Sequence, residues 1–218
     1  MDGMSSSPGP RSVKISDDER GGWSSERPRR PGEPERPPRP VDVSVRGRVL
    51  QRADRLRYSP GSLLLVACPD HPTRDRFCAR VIEERGALLS LGMLRTLLQG
   101  RVAPDEVDAK AAALLDATAA KRLAGGQSVV IALEGLDAAE RDRWVRMAAP
   151  HRRPRHLILV EPARATLSDE DRETLAALRT ALDQGELGGE GFMTSLRLGG
   201  RAVDEVKKVI FAPPPADD

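Results

Sequence analysis

From Val41 onward short apolar runs alternate with longer amphipathic stretches, a pattern that predicts strands and helices in turn. Val43, Val45 and Val49 alternate with polar residues, as on an edge strand. After the turn signal Pro60-Gly61, Ser62–Ala67 is almost wholly apolar, as expected of a strand buried on both faces. Arg74–Arg85 reads as an amphipathic helix with Phe77, Cys78, Val81 and Ile82 on one side, stopped by Gly86. Ala87–Leu91 reads as a second short strand, and Met93–Gln99 as a short helix ended by Gly100. Pro104 opens the longest helix, Asp105–Ala124, with Val107, Ala111, Leu114, Leu115, Thr118 and Leu123 inward and Gly125-Gly126 as its cap. Ser128–Leu133 is a third buried strand, and Asp137 caps the helix Ala138–Ala149. His156–Val160 is a fourth. Ser168 caps a charged helix to about Gln184, with Asp169 and Glu170 near its positive end. Met193–Leu198 and Val206–Phe211 are read as completing the sheet.

Strands alternating with helices predict an α/β fold, a three-layer sandwich around a mostly parallel sheet, here expected to have five strands. That domain is assigned to residues 41–218. Residues 1–40 are a different material, with eight of the 18 prolines and almost no aliphatic side chains. Such a stretch cannot bury enough surface to offset its chain entropy, so a disordered tail is expected. Its seven arginines and one lysine nearly cancel seven acids, which weakens a nucleic-acid reading. Arg27–Pro40 is a candidate docking segment, and Trp23 is the tail's one large anchor.

Composition narrows the classes. Hydrophobic content of 39% supports a core, and 3% aromatics make that core aliphatic. A net charge of +2 gives no sign of bulk attraction to nucleic acid or anionic membranes. No apolar run approaches the roughly 20 residues that span a bilayer, and the start lacks a signal-peptide core, so a cytoplasmic protein is expected. Cys68 and Cys78 fit a reducing compartment as buried thiols rather than a disulfide.

The stretch Leu63–Phe77 has the layout of a phosphate-binding loop, an apolar strand running through a short loop into a helix. Set against G-x-x-x-x-G-K-[ST], the first Gly is Ala67, the second is Pro72, the Lys is Thr73 and the Ser/Thr is Arg74. Pro72 has no N–H to offer a phosphate, and its ring fixes φ. Thr73 lacks the Lys charge, and Arg74 is one position late for it. Asp70 places a carboxylate in the electrostatic niche of a phosphate at the helix start. As a helix N-terminal carboxylate it contributes about 0.3–1 kcal/mol to the fold. A second anion about 4 Å away would cost on the order of 1–4 kcal/mol.

In order and spacing the chain from about Leu56 to Phe211 resembles the P-loop kinase family that contains polynucleotide kinases, zeta-toxin-like kinases and related small AAA-type ATP-binding proteins. The residues that carry the resemblance are Gly61–Val66 entering the loop, Leu89–Arg95 after the second strand, Arg122–Ile131, and the closing Glu190-Gly191-Phe192. The resemblance implies a kinase fold with a degenerate Walker A loop. The acid that such kinases place after the second strand, to take the acceptor's proton, falls at Gly92, while Arg95 matches the substrate-contacting arginine. The family's Asp-x-x-Asn after the third strand falls at Ala132 and Gly135, with Glu134 between them. Its lid arginines correspond to the region of Arg164, Arg172 and Arg179, where interleaved acids imply ordinary surface pairing.

These losses together predict a non-catalytic, pseudokinase-like module with a structural or interaction role and an unknown protein partner. No cofactor is expected, and the degenerate loop comprises Ala67, Asp70, Pro72, Thr73 and Arg74. The alternative is a kinase acting on nucleic-acid ends or a small hydroxyl substrate, binding ATP with Mg and using Arg74, Arg95 and Glu134. Cys68, Asp70, His71 and Cys78 match no common zinc spacing, so no metal site is expected. His151–His156 is a local basic cluster read as a solvated loop, with an anion or nucleic-acid contact as the sharper reading. Trp144 is expected to pack its helix on the sheet.

Overall fold

A computed structural model of the chain describes residues 42–162 and 167–213. The expected disorder of residues 1–40 lies outside the described residues. The strands are β1 (Arg48–Val49), β2 (Arg55–Tyr58), β3 (Leu63–Ala67), β4 (Leu88–Ser90), β5 (Val129–Ala132), β6 (Arg155–Glu161), β7 (Thr194–Gly199) and β8 (Lys208–Phe211). The helices are α1 (His71–Val81), α2 (Leu91–Leu98), α3 (Val107–Ala124), α4 (Ala138–Ala148), α5 (Asp169–Asp183) and α6 (Arg201–Glu205).

The main sheet has six strands rather than five, in the order β1-β7-β6-β3-β5-β4, and every neighbouring pair is parallel. β8 does not complete it. Instead β8 pairs with β2 as a separate parallel two-stranded sheet, Arg55 opposite Lys208 and Tyr58 opposite Phe211. Of the four residues of β2 only Leu56 and Tyr58 face inward, and Arg55 and Arg57, which alternate with them, hide the strand from a search for apolar runs. The expected edge strand shortens to Arg48–Val49. Val45 still donates to the Gly188 carbonyl at 2.9 Å, so the preceding backbone lies along the domain without a full ladder.

Alternation within β3 distributes the core. Leu63, Leu65 and Ala67 join the cluster of α3, α4 and α5, which includes Leu123, Trp144 and Leu178. Leu64 and Val66 face the other way, into a cluster with Phe77, Cys78 and Val81 of α1, Ala202 of α6, and the inner side chains of β2 and β8. The sheet thus has a layer on each face, as a three-layer sandwich requires. Right-handed crossovers explain the division. The connection from β3 to β4 runs one way across the sheet and puts α1 on one face. The connections β4 to β5, β5 to β6 and β6 to β7 run the other way and put α3, α4 and α5 opposite.

All residues of β3 are fully buried, and each such aliphatic side chain contributes about 1.5–3 kcal/mol relative to exposure. Trp144 is fully buried in the α4 side of the core, as its place in the sequence predicts. Side-chain caps start the helices where expected. Asp137 accepts from the Ala139 amide and Ser168 from the Asp171 amide, both at 3.1 Å. No helix among the described residues is long and apolar enough to cross a membrane.

Candidate functional site

Parallel strands bring their carboxyl ends to one edge of the sheet, and β3 leads one way while its neighbours lead the other. α/β folds bind ligands at such reversals. Here three segments meet: the loop between β3 and α1, the β4–α2 junction, and residues 133–135 after β5.

Only Cys68, Pro69 and Asp70 separate Ala67 from the first residue of α1. The turn is tied to itself. The Cys68 thiol donates to the Asp70 carbonyl at 3.3 Å, and Asp70 Oδ2 accepts from the Thr73 amide at 2.9 Å. The Arg74 amide donates to the Asp70 carbonyl at 3.0 Å, and Pro72 in the first turn has no N–H. The helix start, ordinarily a cluster of free donors, has therefore satisfied Thr73 and lacks one donor outright. The Thr73 hydroxyl and amide hold the Asp70 carboxyl below the usual carboxylate range, so it is ionised at neutral pH.

Arg74 does not point away from this edge. Its side chain is 2% exposed and runs across to the loop after β5. Nη1 donates to the Leu133 carbonyl and lies 3.2 Å from Glu134 Oε1, while Nε lies 2.9 Å from Asp75 Oδ1. The second oxygen of Glu134 takes Arg95 Nη1 at 3.1 Å, and Arg95 Nε pairs with Asp108 at 2.7 Å. His71 Nε2 stands 2.5 Å from the Glu134 carbonyl oxygen. The Glu134 and Gly135 amides, both at 3.3 Å, donate to the Glu140 carboxylate. Asp108 escapes a reading of the sequence because it lies on a helix whose surface acids look interchangeable.

The structure therefore brings together three residues singled out from the sequence, Arg74, Arg95 and Glu134, and closes them into one ion-pair network. Around it Asp70, Asp75, Asp108, Glu134 and Glu140 outnumber three guanidinia, those of Arg74, Arg95 and Arg76, the last donating to the Thr73 hydroxyl at 3.2 Å. A polyanion would meet a field of its own sign.

Ala67 is buried at the end of β3. Gly92 and Ala132, where the resembled kinases carry carboxyl side chains, line a cavity of about 300 Å³ between α1 and the β4–α2 junction. Asp75, Cys78, Ser90 and Thr96 also border it. The hydroxyls of Ser90 and Thr96 are engaged with the Met93 amide and the Gly92 carbonyl at 3.1 and 3.0 Å. Burial pushes the Cys68 thiol up to about 11 and the Cys78 thiol to about 12, so both stay protonated and poorly nucleophilic. Among the described residues no group of three or more His, Cys, Asp or Glu is placed to hold a metal ion.

Arg172 pairs with Asp169 one turn away at 2.5 Å, and Arg179 with Glu161 at 2.6 Å. Arg164 lies outside the described residues. Of the basic cluster His151–His156, His151 and Arg152 are exposed as a solvated loop would leave them, whereas the rest is drawn inward. Arg155 is 8% exposed and donates to the Gly191 carbonyl at 2.7 Å, and Arg153 donates to the Leu123 carbonyl at 3.0 Å. His156 is buried, with Nδ1 2.8 Å from Thr194 Oγ1 and Nε2 3.3 Å from Ser62 Oγ. At the amino edge of the sheet, away from the site, His156 thus links β7 to the residue before β3, while Arg155 holds the loop before β7 and Arg153 the end of α3.

No family model and no curated protein matches the sequence. Among solved structures, the chain is similar to one described as a “putative kinase” from Chloroflexus aurantiacus J-10-fl, with 17% identity and a TM-score of 0.37. The match covers 63% of this chain and 84% of that one.

Proposed function

We propose that the chain is a non-catalytic relative of P-loop kinases, a pseudokinase-like module that keeps the α/β scaffold and works through a protein partner. The observation that supports it most is the Arg74 guanidinium, buried and bridged to Glu134 beside a helix start already capped by Asp70. A nucleotide would have to displace a carboxylate cap, find a cation in place of the missing Lys, and enter a surplus of negative charge. A magnesium ion would find Asp75, Asp108 and Glu134 engaged by arginines and Asp70 and Glu140 engaged by backbone amides.

The rival reading, a kinase using Arg74, Arg95 and Glu134, gains from their proximity. Yet each oxygen of Glu134 already accepts from a guanidinium, so taking a proton from a substrate hydroxyl requires breaking an ion pair first. Isothermal titration with Mg-ATP and Mg-GTP separates the two. The account expects no binding heat at millimolar nucleotide; a micromolar dissociation constant overturns it. Phosphoryl transfer to oligonucleotide 5′-hydroxyls, lost in Arg74→Ala, would establish the rival.

A further inference from the structure

The stretch 46–57 carries five arginines, Arg46, Arg48, Arg52, Arg55 and Arg57, against one acid, Asp54. All five arginines are exposed. Arg57 donates to the Pro213 carbonyl at 3.0 Å, and the other four make no ion pair among the described residues. This contrasts with Arg74, Arg95, Arg141 and Arg179, each held by a carboxylate.

Within it β1, Arg48–Val49, forms the open edge of the main sheet, with Arg46 shortly before it and Arg52 shortly after, while Arg55 and Arg57 lie in β2 of the separate sheet. Among the described residues β1 has β7 as its one neighbour. Arg48 N donates to the Met193 carbonyl at 3.0 Å and Leu50 N to the Ser195 carbonyl at 2.7 Å. The Val49 N–H between them therefore points to the unpaired side. Val49 itself is 42% exposed. Beside it runs an open groove of about 440 Å³, floored by Leu50 and Leu182 and bordered by Arg52 on one side and on the other by Arg197, which is paired with Asp183 at 2.7 Å.

We propose that this edge binds an acidic, extended peptide segment of a partner, which adds as a further strand alongside β1. Main-chain bonds to the edge would supply affinity, the apolar groove would take an alternate side chain, and the arginines would select carboxylates through their planar forks. One or two charges are enough to keep a sheet edge from pairing with its own copies. Three arginines without an ion pair among the described residues, Arg46, Arg48 and Arg52, on and around a two-residue strand next to a groove with an apolar floor, exceed that need. A single-stranded nucleic acid is the less favoured polyanion, because the stretch offers no exposed aromatic ring for base stacking: Tyr58 is 4% exposed. The inference deepens the partner-binding role proposed above and rests on it for the existence of a partner, but not on the state of the nucleotide loop.

The test uses the full chain and a short fluorescein-labelled peptide alternating Glu with Val, followed by anisotropy. Saturable binding is expected, weakened about tenfold or more in the double variant Arg48→Glu/Arg52→Glu, which corresponds to about 1.4 kcal/mol. Val49→Pro removes the outward N–H without removing a ladder bond to β7, and is expected to weaken binding comparably. Arg46→Glu alone, just before β1, repeats the charge test should either of the others fail to melt like the parent chain. No saturable binding at millimolar peptide, or unchanged affinity in Val49→Pro, overturns the proposal. So does tighter binding of single-stranded DNA or anionic phospholipid vesicles than of the peptide. Titration with Mg-ATP reads the β3–α1 loop separately, so failure of the peptide and failure of the non-catalytic reading are distinguishable.

Discussion

Arg74 carries a permanent charge into a place that is 2% exposed, and three groups receive it: the Leu133 carbonyl, Glu134 and Asp75. Glu134 and Asp75 are part-exposed, so water screens part of the Coulomb attraction. The packed stem and the carbonyl that Arg74 satisfies supply the rest. Arg74→Ala is expected to destabilise the fold by about 2–4 kcal/mol, and Arg74→Met, which keeps the stem, by about 1–2 kcal/mol, read from urea midpoints. Equal losses in the two would contradict this division. His156 makes a second residue-scale prediction. Burial, with Arg155 beside it, lowers its pKa from 6.5 to about 4. The unfolded chain therefore binds a proton between those values that the folded chain refuses. Stability is full above about pH 6.5 and falls as pH drops toward 4, by up to about 1.4 kcal/mol per unit. His156→Gln should flatten that window in melting curves taken across pH.

At the scale of elements, α1 starts from its own sequence. Asp70→Ala removes the cap on Thr73 and is expected to cost about 1 kcal/mol in chemical denaturation. It should leave nucleotide binding absent, because Pro72 and Thr73 remain. The landmark Glu190-Gly191-Phe192 has a steric basis. Gly191 has φ +99°, and a Cβ there would sit 2.8 Å from Val145 Cγ1 and 2.9 Å from the Val43 carbonyl oxygen. Gly191→Ala should lower the melting temperature by the equivalent of about 2–3 kcal/mol. The elements legible in the sequence were those whose pattern is set by burial alone, β3 above all, and those with side-chain caps, α4 and α5. β2 was not legible, since its four residues present two arginines to solvent and only Leu56 and Tyr58 to the core. The destination of β8 follows from that omission, because β8 pairs with β2; the six strands of the main sheet are all among those read from the sequence.

For the whole molecule, the sequence exposed what the β3–α1 loop lacks but not what had moved in. A motif comparison registers Arg74 as a misplaced cation. Its burial and its bond to Glu134, 60 positions away, depend on tertiary packing that no local pattern encodes. The same holds for Arg155 and His156, charged or titratable residues that a local reading places on the surface and the fold uses inside. The closed network and the one-sided surplus of carboxylates together make the carboxyl edge of the sheet self-sufficient. The most direct test follows the backbone amides of His71, Thr73 and Arg74 by nitrogen–proton correlation spectra during titration with Mg-ATP. The account predicts shifts no larger than those caused by matched salt, whereas saturable shifts confined to these amides would show nucleotide seated at the helix start and contradict it.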